Sequence, residues 1–152
     1  MPLVYIGLGS NLGDREATIR RALELLAADG AIEVEAVSSL RETDPVGYVD
    51  QPRFLNGAAA LRTELAPRAV LERLQRVERA LGRARTGPRF GPRAIDLDLL
   101  LYDNQQIKEA GLEIPHPRLP ERRFVLEPLA ELDSTLAVPG RGSVQALLAA
   151  LQ

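Results

Sequence analysis

The apolar positions of the chain follow two rhythms, and their order predicts a fold. Leu3 to Gly9, "LVYIGLG", is an unbroken apolar run and reads as a buried strand. "SNLGD" then reads as a turn, with Asp14 as a helix N-cap. From Arg15 to Ala28, the residues Ile19, Ala22, Leu23 and Leu26 recur at helical spacing. Ile32 to Leu40 alternates apolar and polar residues, as a strand with one face in water does. Arg41 to Arg53 holds two prolines and a glycine without periodicity and reads as a long loop, a kind of segment that often carries function. Phe54 to Thr63 is a strand rich in small residues. Pro67 suits the first turn of a second helix, with Val70, Leu74, Val77 and Leu81 on one stripe and Gly82 at its end. Arg83 to Arg93 is a second irregular segment with two Gly-Pro pairs, and Ala94 to Tyr102 is a further strand.

The last third is less regular. "LEIPHPRLPERR" is broken by prolines, "FVLEPLAEL" reads as a short helix, and "TLAVPGRGS" as a strand and a turn. "SVQALLAAL" reads as a helix capped by Ser143, with Val144, Leu147, Leu148 and Leu151 on its inner face. The order strand, helix, strand, strand, helix, strand is that of the split βαβ unit. The expected class is therefore α+β: a ferredoxin-like antiparallel sheet with helices packed on it, becoming a three-layer αβα arrangement once the C-terminal elements are added. With 152 residues and no repeat, linker or low-complexity tract, one domain over residues 1–152 is expected, with no room for a fused second enzyme.

One strand contains an oddity. In "RFGPRAIDLDLLLY", Arg89 to Tyr102, two carboxylates interrupt the most hydrophobic run of the chain. Charged groups are rarely buried unless paired or bound to metal. Strand geometry resolves this. Residues i and i+2 share a face, so Asp96 and Asp98 project together with Cα atoms roughly 7 Å apart, while Ile95, Leu97 and Leu99 point into the core. On a helix the pair would diverge by about 200°. Two parallel carboxylates repel one another unless a proton or a cation lies between them. Magnesium is bound by one or two carboxylates together with substrate phosphates. The plain alternative is a pair of solvated aspartates on an open sheet face.

Charge sharpens that choice. The net charge is −2, so no general field draws the protein to nucleic acid or to a membrane surface. Lys108 is the only lysine, an imbalance that codon usage in a GC-rich genome would produce. Position is a separate matter: Arg83, Arg85, Arg89 and Arg93 stand directly before the two aspartates. Arginine forks suit phosphate oxygens, and carboxylates beside them suit the metals that bridge phosphates. A magnesium-nucleotide site is the reading this favours. His116, the only histidine, sits rigidly between two prolines, where a surface position is expected; a lone histidine is more often structural than catalytic, but this setting suits a phosphate or nucleotide contact. "GLGSNLG" has neither phosphate-loop nor dinucleotide spacing and is expected to be a tight strand-to-helix turn. The absence of cysteine excludes disulfides, thiolate metal sites and cysteine nucleophiles. No apolar run approaches the ~20 residues of a membrane span, and no export signal opens the chain, so a cytoplasmic location is expected.

Three classes of function compete. The first is a nucleotide-dependent phosphoryl- or diphosphoryl-transfer enzyme. The second is a template-type nucleotidyltransferase, where a Gly-Ser turn lies close to Asp-x-Asp; here Gly9-Ser10 is far upstream of Asp96. The third is an RNA-binding module, which needs exposed aromatics and a basic surface, and six aromatics with a negative net charge fit it poorly.

"RFGPRAIDLDLLLY" closely resembles the signature of the 6-hydroxymethyl-7,8-dihydropterin pyrophosphokinases. The likeness extends to "YIGLGSNLGD", "TDPVG", "DQPRFLNGAAAL", "LQRVERALGRAR" and "IPHPRLPERRFVLEPL", nearly the whole chain. The resemblance implies transfer of the terminal diphosphate of ATP to the pterin hydroxymethyl group, releasing AMP. Another magnesium-dependent phosphoryl or nucleotidyl transferase on the same fold is the alternative. By the same resemblance, Asp96 and Asp98 would hold two magnesium ions and be catalytic together with Arg83 and Arg93, which steady the phosphates. Arg85 and Arg89 would lie on a loop that closes over ATP, and His116, Arg122, Gln75, Glu78 and Leu99 would complete the ATP side. Phe54 and Phe124 would sandwich the pterin ring, with Asn56, Asp96, Thr43, Pro45 and Val46 at its edge. The spacing of Gln75 and Glu78, i and i+3, places them on one helix face. Phe90, Pro117 and Arg123 depart from well-known members. The implied partners are the two small substrates, with no nucleic acid and no membrane, and the implied state is a monomer.

Overall fold

The computed structural model describes residues 1–44, 52–82 and 94–151. Strand β1 (Leu3–Ser10) leads to helix α1 (Arg15–Ala27), then β2 (Ile32–Val37) and β3 (Arg41–Thr43). Strand β4 (Phe54–Thr63), helix α2 (Pro67–Ala80) and β5 (Asp96–Tyr102) complete the split βαβ order. Two short hairpins follow, β6 (Ile107–Glu109) with β7 (Leu112–Ile114) and β8 (Ala137–Val138) with β9 (Gly142–Ser143). Between and after them lie α3 (Arg123–Leu132) and α4 (Val144–Ala150). The main sheet runs β2-β4-β1-β5 with every pairing antiparallel, and β3 joins the same β4 edge beyond β2. This is the α+β, ferredoxin-like arrangement that the element order predicts.

Its two faces differ. One buries Val4, Ile6 and Leu8 of β1, Ala59 and Leu61 of β4, and Leu97 and Leu99 of β5 against Ile19, Ala22 and Leu26 of α1 and Val70, Leu74 and Val77 of α2. The other buries Tyr5, Ala58, Ala60, Leu100 and Leu101 against Val125, Leu126 and Leu129 of α3 and Val144 of α4. The helices thus cover both faces, in three layers. A β-bulge lets one apolar run serve both cores. Ile6 pairs with Leu99 and Tyr5 with Leu101, so Leu100 is the extra residue. Leu100 and Leu101 therefore face α3, and Tyr102 returns to the first core.

Several expectations need correction. Arg41–Thr43 is a strand, not the start of a loop, because β4 is ten residues long and has free edge left beyond β2. The strand from Ile32 ends at Val37, and residues 38–40 form the link to β3. "GLGSNLG" is not a turn as a whole: β1 continues through Ser10, and of its glycines only Gly13, at φ +67°, takes the left-handed turn conformation. The β6–β7 hairpin carries charged residues in three-residue strands, too short for a period to show. Leu151 lies outside the inner face of α4 and is exposed. Asp14 does cap α1, accepting from the Ala17 N–H at 3.1 Å, and Ser143 caps α4 through the Ala146 N–H at 3.0 Å.

Candidate active site

The face that carries α3 and α4 changes character along its strands. On β1 it presents Leu3 and Tyr5, then Gly7 and Gly9. On β4 it presents Ala60 and Ala58, then Asn56 and Phe54. On β5 it presents Leu101 and Leu100, then Asp98 and Asp96. The first half of each set is roofed by the C-terminal helices. Apart from Phe54, the second half is polar or lacks side chains, and Phe54, Asn56, Asp96 and Asp98 are each only part-buried.

Register brings these residues into rows. Gly9 stands opposite Asn56 on one side and Asp96 on the other, and Gly7 stands opposite Asp98. A Cβ at Gly9 would lie 3.2 Å from Asn56 Nδ2, 3.8 Å from Asp96 Cβ and 3.9 Å from Phe54 Cδ1. Gly9 is therefore the floor of a gap whose walls are two residues expected at the pterin and one expected at the metal. Thr43 Oγ1 donates to Asn56 Oδ1 at 2.5 Å, which leaves the amide Nδ2 turned toward that gap.

The outer edge of β5 is held at two points on either side of Asp98. Glu78 Oε2, on the buried side of α2, accepts from the Leu97 N–H at 2.9 Å. The His116 N–H donates to the Leu100 carbonyl at 3.0 Å. The imidazole Nδ1 of His116 accepts from the Arg118 N–H at 3.2 Å, so the neutral ring carries its proton on Nε2. Burial holds the His116 pKa below its ordinary value, and the guanidinium groups of Arg122 and Arg118 push the same way. The Asp98 carboxylate pulls it back up. Arg122 in turn lies over the Phe124 ring, 5.5 Å from its centroid. Asp98, His116, Arg122 and Phe124 thus form one electrostatic chain running from β5 to the start of α3.

The remaining expected residues fall out as follows. Gln75 is exposed while Glu78 is buried, so their i, i+3 spacing straddles the edge of the packed stripe instead of sharing one surface. Leu99 belongs to the first core, on the sheet face opposite the aspartates. Pro45, Val46, Arg83, Arg85, Arg89, Arg93 and Phe90 lie outside the described residues. The stem of the segment 45–51 is tied on both sides. Arg15 donates to the Arg53 carbonyl at 2.9 Å and to Glu42 Oε1 at 2.7 Å, and Asn11 Nδ2 donates to the Pro52 carbonyl at 3.0 Å. Sequence reasoning missed Gly7, Gly9 and Arg15. For the glycines a signal existed, the same i, i+2 alternation that singles out Asp96 and Asp98.

The donor set limits the metal that fits. Among the described residues no group of three or more His, Cys, Asp or Glu side chains converges on one point. Two parallel, part-buried carboxylates fit magnesium carried in with a polyphosphate, and do not fit a zinc-type cage.

Comparison with known proteins gives the same direction. The model of the family "7,8-dihydro-6-hydroxymethylpterin-pyrophosphokinase (HPPK)" matches residues 5–134. The chain is 52% identical over 130 residues to the 2-amino-4-hydroxy-6-hydroxymethyldihydropteridine pyrophosphokinase of Bacillus subtilis, covering 86% of this chain and 77% of that one. It is 46% identical over 147 residues to the protein of the same name from Methylorubrum extorquens, covering 97% and 92%. Among solved structures it resembles Plasmodium falciparum HPPK-DHPS with pterin and p-hydroxybenzoate, at TM-score 0.72 and 14% identity. That match covers 98% of this chain but 41% of the longer one, and shows the fold. The matched span, residues 5–134, takes in β4, β5, α3 and most of β1, the elements that build the open end of the sheet, and the chain belongs to the 7,8-dihydro-6-hydroxymethylpterin pyrophosphokinase family.

Proposed function

We propose that the open end of the sheet is where the protein performs its family's reaction: transfer of the diphosphate of ATP to the hydroxymethyl group of 6-hydroxymethyl-7,8-dihydropterin, a step of folate biosynthesis. The observation that carries the assignment is the register of Asn56, Gly9 and Asp96 across three adjacent strands. It supports the reading by setting a side-chain amide, a floor without side chain and a carboxylate in one row. ATP is the co-substrate and magnesium the required ion. In this reading Asp96 and Asp98 would hold two such ions together with the triphosphate. When bound, they neutralise phosphate charge and favour the ionised alcohol.

The chain's own residues then do the positioning. A bond forms from the hydroxymethyl oxygen to the β-phosphorus while the bond from that phosphorus to the AMP oxygen breaks in line, so little covalent chemistry falls to the protein. Asn56 offers Nδ2 to an acceptor on the pterin edge, with its orientation set by Thr43. Phe54 and Phe124 offer apolar faces to the ring. The Nε2–H of His116 and the guanidinium of Arg122 offer donors to phosphate oxygens beside Asp98. Arg83, Arg85, Arg89 and Arg93 add charge from the segment before β5. In this reading Gln75 and Glu78 would serve the nucleotide side, Glu78 by holding β5 through the Leu97 N–H. The working unit is one domain over residues 1–152, a monomer in the cytoplasm acting on small molecules.

Product analysis tests this directly. With ATP, magnesium and the hydroxymethyl pterin, AMP and the pterin diphosphate should accumulate in equal amounts. ADP in place of AMP would replace the reading with simple phosphoryl transfer, and no product would overturn it.

Asn56→Ala tests the pterin side. Losing a hydrogen bond in a part-buried site costs about 1–3 kcal/mol, so the pterin KM should rise roughly tenfold or more. The KM for ATP and kcat should stay within a few fold, because Asn56 lies one strand beyond Gly9 from the aspartates. Steady-state kinetics in both substrates checks this, and an equal loss in both would remove Asn56 from the pterin pocket.

A further inference from the structure

The second helical layer meets the sheet at one polar point. Glu131, in the last turn of α3, accepts three hydrogen bonds: from the Ser39 N–H at 2.7 Å, from Ser39 Oγ at 2.7 Å and from Arg41 Nη2 at 2.9 Å. The Ser39 bonds, helped by the Arg41 charge, hold its carboxyl below the usual range, so it is ionised at neutral pH. Both partners belong to the chain that enters β3. Ser39 lies in the link from β2, and Arg41 is the first residue of the strand.

That link is tightly seated. It crosses over Gly57, where a Cβ would lie 2.7 Å from Leu40 Cδ2 and 3.1 Å from Ser38 Oγ. The strand it feeds is short, and its three residues pair with Phe54, Leu55 and Asn56. Arg41 stands opposite Asn56 and Thr43 opposite Phe54, and as i and i+2 on a strand they share one face. At the other end of the connection, Phe124 and Glu131 are seven positions apart on α3, which brings them within about 20° on the helix. The same carboxylate is therefore joined through one helix to Phe124 and through one strand to Thr43, whose hydroxyl orients Asn56.

We propose that Glu131 is a positioning residue for the pterin site, setting the spacing of α3 against β3 and so of Phe124 against Thr43, Asn56 and Phe54. The inference rests on the reading that these four residues hold the pterin. It does not require Glu131 to touch a substrate.

The test compares wild type with Glu131→Ala and Glu131→Gln in titrations of the hydroxymethyl pterin by its own fluorescence, in steady-state kinetics for both substrates, and in thermal unfolding. Losing these charge-assisted bonds should raise the pterin Kd and KM by roughly tenfold. The KM for ATP and kcat should stay within about twofold, the size expected when only uniform pterin binding is lost. Glutamine keeps an acceptor for the Ser39 N–H and loses the charge that meets Arg41, so it should fall between wild type and alanine. Arg41→Ala, which leaves both Ser39 contacts in place, should move the pterin KM the same way by less, and it stands in if Glu131→Ala does not fold. Unchanged pterin binding in the variants, with normal binding by wild type, overturns the inference alone. Parallel losses for both substrates that follow a fall in unfolding temperature overturn it as well, since they mark a merely structural residue. A wild-type protein that binds no pterin overturns the underlying reading and this inference with it.

Discussion

Asp98→Ala should reduce turnover by roughly a thousandfold or more, the scale of several kcal/mol that a metal clamp on a transferring phosphoryl group supplies. The fold should survive. Asp98 is part-buried at the open end of the sheet, opposite Gly7, and is no member of either core. The backbone of β5 is held independently of its side chain, by Glu78 at Leu97 and by the His116 N–H at Leu100. Asp98→Asn is the sharper comparison. It keeps the volume and most of the hydrogen-bonding capacity and removes only the charge, so it should also be nearly inactive if ligating magnesium is the role. AMP release at saturating substrates, thermal unfolding and pterin binding without magnesium together decide the matter. The first should collapse while the other two stay near wild type. Normal turnover in either variant would remove Asp98 from the metal site.

The reasons why this residue could be found from sequence, and others could not, are physical. Asp96 and Asp98 break an apolar run at a spacing of two, a pattern with an economical geometric solution on a strand. The order of strands and helices is legible on the same ground, because each long element repeats its own period. The bulge at Leu100 is not legible. It shifts pairing by one residue, no local propensity marks it, and only partners on β1 reveal it. Yet it lets Leu99, Leu100, Leu101 and Tyr102 divide themselves between two cores. Arg41–Thr43 was hidden in the same way, since three residues establish no period and their partner is a distant strand. Glu78 shows the limit of spacing on a helix. Three positions turn the helix by about 300°, leaving Gln75 and Glu78 some 60° apart, enough to put one in water and the other under β5. Glu131 gave no local signal: its partners lie 90 and 92 positions away.

Gly9 is the strongest case, and it yields a prediction of unusual sign. Glycine is the commonest marker of a turn, so "GLGSNLG" reads as one. In the structure Gly9 instead lies in a paired strand with Asn56 on one side and Asp96 on the other. Glycine weakens a strand, both through backbone entropy and through the missing side chain. Valine is among the best strand formers, so Gly9→Val should leave the unfolding temperature unchanged or raise it. The same substitution should damage function severely. Its Cβ alone would sit 3.2 Å from Asn56 Nδ2, so the end of that side chain must give by a few tenths of an ångström, out of the position in which Thr43 holds it. The γ-methyls would then occupy the space between Phe54, Asn56 and Asp96. Seating the ring against them would overpack the gap at a cost of about 1–3 kcal/mol, so pterin affinity should fall by up to roughly a hundredfold. Gly7 supplies the control. A Cβ there meets Leu100 Cδ1 at 3.6 Å and Asp98 Cβ at 3.7 Å, both ordinary contacts, so Gly7→Ala should cost far less pterin affinity than Gly9→Val. Pterin titration and thermal unfolding of the two variants distinguish a binding floor from a folding requirement. A destabilised Gly9→Val protein that binds pterin normally would show that the glycine serves the strand and not the pocket.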